Sequence, residues 1–281
     1  MNTNTRTVQI RPNVVVGGGR PFALIAGPCV IESLDLCREV AGRAKAACQG
    51  LGIAYIFKAS FDKANRSNRG AARGPGTAVG LEALQRVRTE SGLRVITDVH
   101  LPEQCADAGE VVDALQIPAF LCRQTDLLEA AGATGKPVNV KKGQWLQPEA
   151  MRGAVEKVRG SQPGAAPLAV TERGTFFGYG DLVVDMRSFT RMRDATGVPV
   201  IFDATHSVQR PGLGEGGASG GAREFIPTLA LAAVAAGANG LFIETHPDPD
   251  NAPSDGPNML PLSQLESLLE RVIGVWERVN R

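Results

Sequence analysis

The chain has 281 residues, 43% hydrophobic and 21% charged, which suits a globular protein with a full core and excludes a disordered one. A formal net charge of +1 leaves no overall basic field of the kind that marks nucleic-acid binders, so any anion site has to be local. The polar start Met1-Asn2-Thr3-Asn4-Thr5-Arg6 lacks the apolar core of a secretory signal, and no apolar run approaches the roughly 20 residues that span a bilayer. Five cysteines without a C-x-x-C pair fit a reducing compartment. The expectation is a cytoplasmic protein with neither nucleic acid nor membrane as a partner.

In chain order, residues 7–10 and 13–16 are short β-prone runs before Gly17-Gly18-Gly19, which predicts a small N-terminal hairpin. A repeating unit follows: a short apolar strand, a polar loop and a helix-like stretch. Strands are predicted at 22–26, 54–58, 93–98, 111–116, 138–142, 168–172, 198–203 and 240–244. Apolar residues at helical spacing occupy 34–49, 79–90, 102–108, 127–134, 148–158, 186–196, 225–236 and 262–279. This alternation is the pattern of an α/β fold, a (β/α)8 TIM barrel over 1–281 as a single domain. The strands are continuous apolar runs, as a parallel sheet buried on both faces requires. A doubly wound open sheet is the competing reading, and no Gly-x-Gly-x-x-Gly after the first strand supports it.

The strand ends carry the functional argument, because barrel enzymes build their sites at the C-terminal ends of strands. Those ends bear Cys29; Lys58 and Lys63; Asp98 and His100; Gln116; Lys141 and Lys142; Glu172 and Arg173; Asp203 and His206; Glu244 and His246. A stable barrel could close with Ser, Asn or Gly at these positions. Lys58, Lys63, Arg66, Lys141 and Arg173 would make a positive floor for a phosphate and a carboxylate. Cys29, His206, Glu244 and Asp255 would make a mixed S/N/O shell for a borderline divalent ion such as zinc or iron. Taken alone, Cys29 is a packed thiol and His206 a structural imidazole; their shared location makes the metal reading competitive. The glycine-dense stretch 211–221 reads either as a lid or as a plain flexible loop. The proline-rich stretch 246–257 either holds Asp255 toward the barrel mouth or is a charged surface loop.

Several motifs carry a family resemblance: Lys58-Ala-Ser-Phe-Asp-Lys-Ala-Asn-Arg-Ser67, Thr97-Asp-Val-His100, the run from Gln116 to Asp126, Asn139-Val-Lys-Lys-Gly-Gln144, Thr171-Glu-Arg-Gly174, Phe177-Gly-Tyr179, the run from Asp203 to Gln209, Ser219-Gly-Gly221 and the run from Glu244 to Pro249. From about Pro21 to the C-terminal helix the chain resembles the 3-deoxy-D-manno-octulosonate 8-phosphate synthases. Related heptulosonate phosphate synthases share Gly27-Pro28-Cys29 but carry a Lys-Pro-Arg-Thr type motif where this chain has Lys-Ala-Asn-Arg-Ser.

The resemblance implies a transferase that condenses phosphoenolpyruvate with D-arabinose 5-phosphate and water for lipopolysaccharide biosynthesis, in the cytoplasm and as a homotetramer. It implies that Lys58, Lys63 and Gln116 hold the phosphoenolpyruvate carboxylate, and that the Ala119 backbone, Lys141 and Arg173 hold its phosphate. Asn65, Arg66 and Ser67 would receive the sugar phosphate, with Arg123 reaching its phosphate from a neighbouring subunit. Asp98 and His100 would sit near the reacting carbons. Cys29, where the metal-independent class has Asn, implies one divalent metal ion (Zn, Fe, Mn or Co) on Cys29, His206, Glu244 and Asp255. The water-activating base stays open among His206, Asp255 and a phosphate oxygen. The segment Asn68-Arg69-Gly70-Ala71-Ala72 departs from the family pattern. A 3-deoxy-heptulosonate phosphate synthase of the same superfamily, a Schiff-base aldolase using Lys58 or Lys141, and a barrel that only binds sugar phosphates are the other readings.

Overall fold

The computed structural model describes residues 7–10, 15–17, 21–64, 72–161, 168–214 and 220–280. Its centre is a closed barrel of eight parallel strands: β3 (Ala23–Gly27), β4 (Ala54–Lys58), β5 (Arg94–Asp98), β6 (Ala114–Ile117), β7 (Val138–Lys141), β8 (Leu168–Glu172), β11 (Val200–Asp203) and β14 (Gly240–His246). Each pairs with the next, and β14 closes the ring on β3 with Gly240 opposite Ala23 and Glu244 opposite Gly27. Around it run α1 (Leu34–Gly50), α2 (Thr77–Ser91), α3 (Gln104–Val111), α4 (Thr125–Ala133), α5 (Met151–Gly160), α6 (Ser188–Thr196), α7 (Ile226–Ala235) and α8 (Leu265–Asn280). Helix α1 starts where Ser33 accepts the Leu36 N–H at 3.1 Å, and α2 stops at Gly92, whose φ of 69° is left-handed.

The pleat decides what faces where. Outward positions such as Leu24, Phe57, Val95, Leu115, Val140 and Phe202 pack against helix residues including Val40, Leu84, Val155, Phe189 and Leu269. Inward positions Ile25, Ile56, Ile96, Ala114, Ala169, Ile201 and Phe242 form a separate cluster inside the barrel. The expected N-terminal hairpin is present as β1 (Val8–Gln9) against β2 (Val15–Val16), and Ile10 and Val16 join that inner cluster, so the hairpin closes one end. Two residues beyond the inward apolar layer, the same faces carry Lys58, Asp98, Gln116, Thr171, Asp203 and Glu244, all buried. Alternation with period two therefore stacks a polar layer directly on an apolar floor.

The fourth strand of the sequence reading begins at Ala114 rather than 111, because α3 runs on to Val111. Three further elements were not anticipated. Hairpin β9 (Thr175–Gly178) and β10 (Asp181–Val183) follows β8, β12 (Gln209–Arg210) pairs with β13 (Gly220–Gly221), and β15 (Leu260–Pro261) pairs with β14. The β12–β13 pairing frames the stretch read as a lid; residues 215–219 within it lie outside the described residues.

Gly27 marks the tightest approach between neighbouring strand ends: a Cβ there would lie 1.9 Å from the Lys58 carbonyl oxygen. Gly27→Ala should therefore destabilise the fold by about 3 kcal/mol, the upper end of ordinary overpacking costs. Urea unfolding with an unchanged midpoint would contradict this packing.

Candidate active site

A cavity of about 560 Å³ opens at the C-terminal ends of the strands. It is lined by residues from several of them, including Cys29, Lys58, Lys63, Asp98, His100, Lys141, Arg173, His206, Glu244 and Asp255. The polar layer beneath it is a continuous hydrogen-bond chain. Thr171 Oγ1 donates to Asn139 Oδ1 at 2.8 Å, Asn139 Nδ2 to Gln116 Oε1 at 2.9 Å, and Gln116 Nε2 to Asp98 Oδ1 at 2.7 Å. Asp98 Oδ2 lies 3.2 Å from Lys58 Nζ, which also contacts Glu244 Oε1 at 3.0 Å and donates to the Cys29 carbonyl at 2.9 Å. Burial pushes the Lys58 ammonium toward its neutral form, but Asp98 and Glu244 outweigh burial and hold it well above the usual lysine range. Asp98 is held well below the usual carboxyl range: burial would raise it, and Lys58 and Lys141 overcome that.

On the opposite wall, Lys141 Nζ sits 2.7 Å from Asp203 Oδ2 and 3.4 Å from the centre of the Phe242 ring. Arg173 Nη2 donates to Gln209 Oε1 at 2.6 Å. Arg173 Nη1 is buried with no hydrogen-bond partner among the described residues. An unpartnered guanidinium N–H in a cavity is costly unless a ligand accepts it. Gln144 Oε1 and His100 Nδ1 on the same cavity are likewise buried and unpartnered.

The third group is the mixed donor set. Ligand atoms of Cys29, Glu244 and Asp255 all lie within 4.8 Å of one another. Cys29 Sγ is 3.4 Å from Asp255 Oδ2, and His206 Nε2 is 3.5 Å from Glu244 Oε2 and 3.6 Å from Asp255 Oδ2. Bonds of about 2.0–2.3 Å to a tetrahedral ion imply ligand-to-ligand edges of about 3.3–3.8 Å, which the Cys29–Asp255, His206–Glu244 and His206–Asp255 separations match. Of the four residues, Cys29, Glu244 and Asp255 are the mutually compact set, so holding one ion on all four takes some closure of His206 toward Cys29. His206 Nδ1 lies 2.8 Å from Asp203 Oδ2, which turns Nε2 toward the carboxylates. A carboxylate behind a histidine is the usual way to fix a metal-binding tautomer. Burial and then Glu244 raise the Cys29 thiol far above its ordinary value, so a cation binding there displaces a proton. Lys63 Nζ hydrogen-bonds Cys29 Sγ at 3.4 Å and the Asp255 carboxylate. Among the described residues, Asp255 is one of three non-glycine residues with positive φ, at 52°. The loop bearing it is fixed by Arg223, which donates to Gly256 O at 2.9 Å and Asp250 Oδ1 at 2.6 Å.

The sequence comparisons bear on this arrangement. Residues 3–281 match the model of the DAHP synthetase I family. The chain belongs to that family. It is 55% identical over 268 residues to a 2-dehydro-3-deoxyphosphooctonate aldolase of Cyanothece sp., covering 95% of this chain and 97% of the relative. It is 54% identical over 281 residues to one of Brucella ovis, covering 100% and 99%, and 56% identical over 261 residues to one of Bradyrhizobium sp., covering 93% and 90%.

Within this family member, Cys29, Lys58, Lys63, Asp98, His100, Ala119, Lys141, Arg173, His206, Glu244 and Asp255 meet on one cavity. Gln116 does not line it; both ends of its amide are engaged beneath, holding Asp98 and Asn139. Arg123 is exposed and lies outside the cavity of its own chain. Asn65, Arg66 and Ser67 lie outside the described residues, as do positions 68–71 of the divergent loop. Asp62 and Arg73, paired at 2.7 and 2.9 Å, flank that segment. Lys142 and Glu172, counted among the strand ends, are buried and do not line the cavity. His246 also stands apart, with Nδ1 accepting the Asp248 N–H at 3.0 Å. The residue that sequence reasoning undervalued is Asp203. Its signal was present in the spacing Asp-x-x-His, which brings both ends of one turn together. Cys37 and Cys48 are pushed up to about 12 by burial and are packed thiols.

The Asp98 carboxyl gives a pH prediction. Because it is depressed below its ordinary 3.8, its ionised form contributes stability above that value, and the contribution is lost as pH falls through and below it. In Asp98→Asn the decline in denaturant midpoint below about pH 5 should be shallower than in the parent protein. An identical acid slope in both would remove Asp98 from the stabilising network.

Proposed function

We propose that this protein condenses phosphoenolpyruvate with D-arabinose 5-phosphate and water, giving 3-deoxy-D-manno-octulosonate 8-phosphate and inorganic phosphate. The observation that carries the reading is the open, buried Arg173 N–H beside Lys141, on the same cavity as the Cys29, His206, Glu244 and Asp255 donors. A small molecule with a phosphate at one end and a carboxylate at the other satisfies both ends of such a cavity. The names of the relatives support the same reaction.

In this reading Arg173 and Lys141 take the phosphate, and the Ala119 backbone adds a donor. Lys58 and Lys63 face the carboxylate. Asp98, fixed by Gln116, orients Lys58 and is proposed to sit near the reacting carbons. Carbon-3 of the enol attacks the aldehyde, positive character develops at carbon-2, water adds there, and the hemiketal phosphate collapses with loss of phosphate. The cationic walls hold the anionic enol phosphate in place and need no reorganisation as charge shifts. The donor set is proposed to hold one divalent ion (Zn, Fe, Mn or Co), which when bound supplies Lewis-acid polarisation of an oxygen. The group proposed to take a proton from the incoming water is His206, Asp255 or an oxygen of the substrate phosphate. His100, whose Nδ1 has no hydrogen-bond partner among the described residues, is proposed to sit near the reacting carbons. Asn65, Arg66 and Ser67 are proposed to take the sugar phosphate.

Arg123 is proposed to complete the site of a second copy in a homotetramer. Its exposure supports this, together with the half-exposed Phe120–Trp145 stack close by in the chain, with centroids 5.8 Å apart. No described helix is long and apolar enough to cross a membrane. A Schiff-base route through Lys58 fits poorly, because a nucleophilic lysine has to be neutral and Lys58 is clamped as an ammonium between two carboxylates.

Phosphate release tests the reaction. Turnover should be faster with arabinose 5-phosphate than with erythrose 4-phosphate, and chelation should abolish it until a divalent ion is restored. Cys29→Ala should co-purify with less metal and be inactive. Arg173→Ala should lose about 2–5 kcal/mol in kcat/KM for phosphoenolpyruvate. Light scattering should show that the active species is an oligomer. Faster turnover of the four-carbon sugar, or full activity in metal-stripped monomer, would overturn the corresponding part.

A further inference from the structure

Behind the cavity wall lies a second charge pair that the reaction above does not use. Lys141 and Arg173 face the cavity from β7 and just past β8. Their chain neighbours Lys142 and Glu172 are fully buried, 3.5 Å apart, and do not line the cavity. The pleat sends them to the opposite face. Burying an ion pair is weak evidence for stability, since desolvation consumes most of the attraction.

The contacts of Glu172 indicate what the pair does. Its Oε1 accepts the backbone N–H of Arg173 at 2.9 Å and of Gly174 at 2.7 Å. Oε2 has no hydrogen-bond partner among the described residues, so the carboxylate is committed to this turn. Gly174 takes a φ of 90°, and a Cβ there would stand 3.1 Å from Leu182 of β10, so the turn is pressed under the β9–β10 hairpin. Lys142 Nζ lies within 3.3 Å of Gly143 O, Leu146 O and Thr175 Oγ1, which ties the loop after β7 to the same hairpin.

We propose that Glu172 is a positioning residue for anion binding: its carboxylate fixes the Arg173–Gly174 turn, with Lys142 as its counter-charge, and so aims the Arg173 guanidinium into the cavity. This deepens the reading of Arg173 as a phosphate ligand and rests on it. The chemistry recognised is a phosphate group, whether on phosphoenolpyruvate or free.

Two double variants isolate the acceptor from the charge. Lys142→Met/Glu172→Leu removes the acceptor and leaves no unpaired lysine, whereas Lys142→Met/Glu172→Gln keeps an amide oxygen on the same two N–H groups. Calorimetric titration with phosphoenolpyruvate, and separately with inorganic phosphate, should show the Leu variant weaker by about tenfold, the cost of one misaimed charge-assisted bond. The Gln variant should bind within about threefold of the parent. The KM for the aldose phosphate should be unchanged in both. Equal affinity for phosphate in the two variants, or equal loss toward both substrates, overturns the positioning role. Arg173→Ala is the control. If it leaves phosphate affinity intact, the phosphate-site reading fails. If it weakens binding while the Leu variant does not, only the present inference fails.

Discussion

The structure turns on one buried ammonium. Lys58 leaves β4 inside the barrel, where an unpaired charge would be prohibitive. It is tolerated because Asp98 from β5, Glu244 from β14 and the Cys29 carbonyl beyond β3 converge on it. Two of these groups lie on other strands of the barrel and the third follows β3, so the contacts that neutralise Lys58 also register the strands around it. The close approach at Gly27 has the same origin, since the chain bearing Cys29 must pass directly over the Lys58 backbone. Barrel closure and site assembly are thus one constraint.

The same compensation recurs around the cavity. Lys141 is matched by Asp203, Lys63 by Asp255, and Arg73 by Asp62. Each cation has a carboxylate of its own, so the cavity does not expose a bare positive field and the net charge of the chain stays near zero. Arg173 differs: its guanidinium rests on a neutral amide, and one buried nitrogen lacks a partner. An anion entering at Arg173 completes a hydrogen bond rather than displacing an internal carboxylate. The donor set at Cys29 shares the cavity with these cations: Lys63 hydrogen-bonds Cys29 and Asp255, and Lys58 contacts Glu244.

Much of this was legible in the sequence because period-two burial and the position of strand ends are local properties. An apolar residue at Ile56, Ile96 or Phe242 followed two places later by Lys58, Asp98 or Glu244 already states that the charged group caps an inward layer. Local pattern could not separate Lys141 from Lys142, or Arg173 from Glu172, since adjacent residues at a strand end face opposite ways and the choice depends on which face the barrel closes upon. Gln116 ends a strand, and the family resemblance implies that it holds the substrate carboxylate; the structure has its amide engaged below the cavity. The chain through Asn139 and Thr171 that occupies its amide is formed by three separate strands and leaves no mark in any one of them. The β9–β10 hairpin was missed for a similar reason. Its strands are only three or four residues long and turn through Phe177 and Tyr179 at positive φ, where aromatic residues are unusual.

The central claim is that one cavity holds an anionic substrate and a divalent cation side by side. The most direct measurement is a crystal structure with phosphoenolpyruvate and manganese, using anomalous scattering to locate the ion. The account predicts one anomalous peak bounded by Cys29, His206, Glu244 and Asp255, with the phosphate against Lys141 and the open nitrogen of Arg173. A peak elsewhere, or a phosphate that leaves Arg173 Nη1 without a partner, would contradict it.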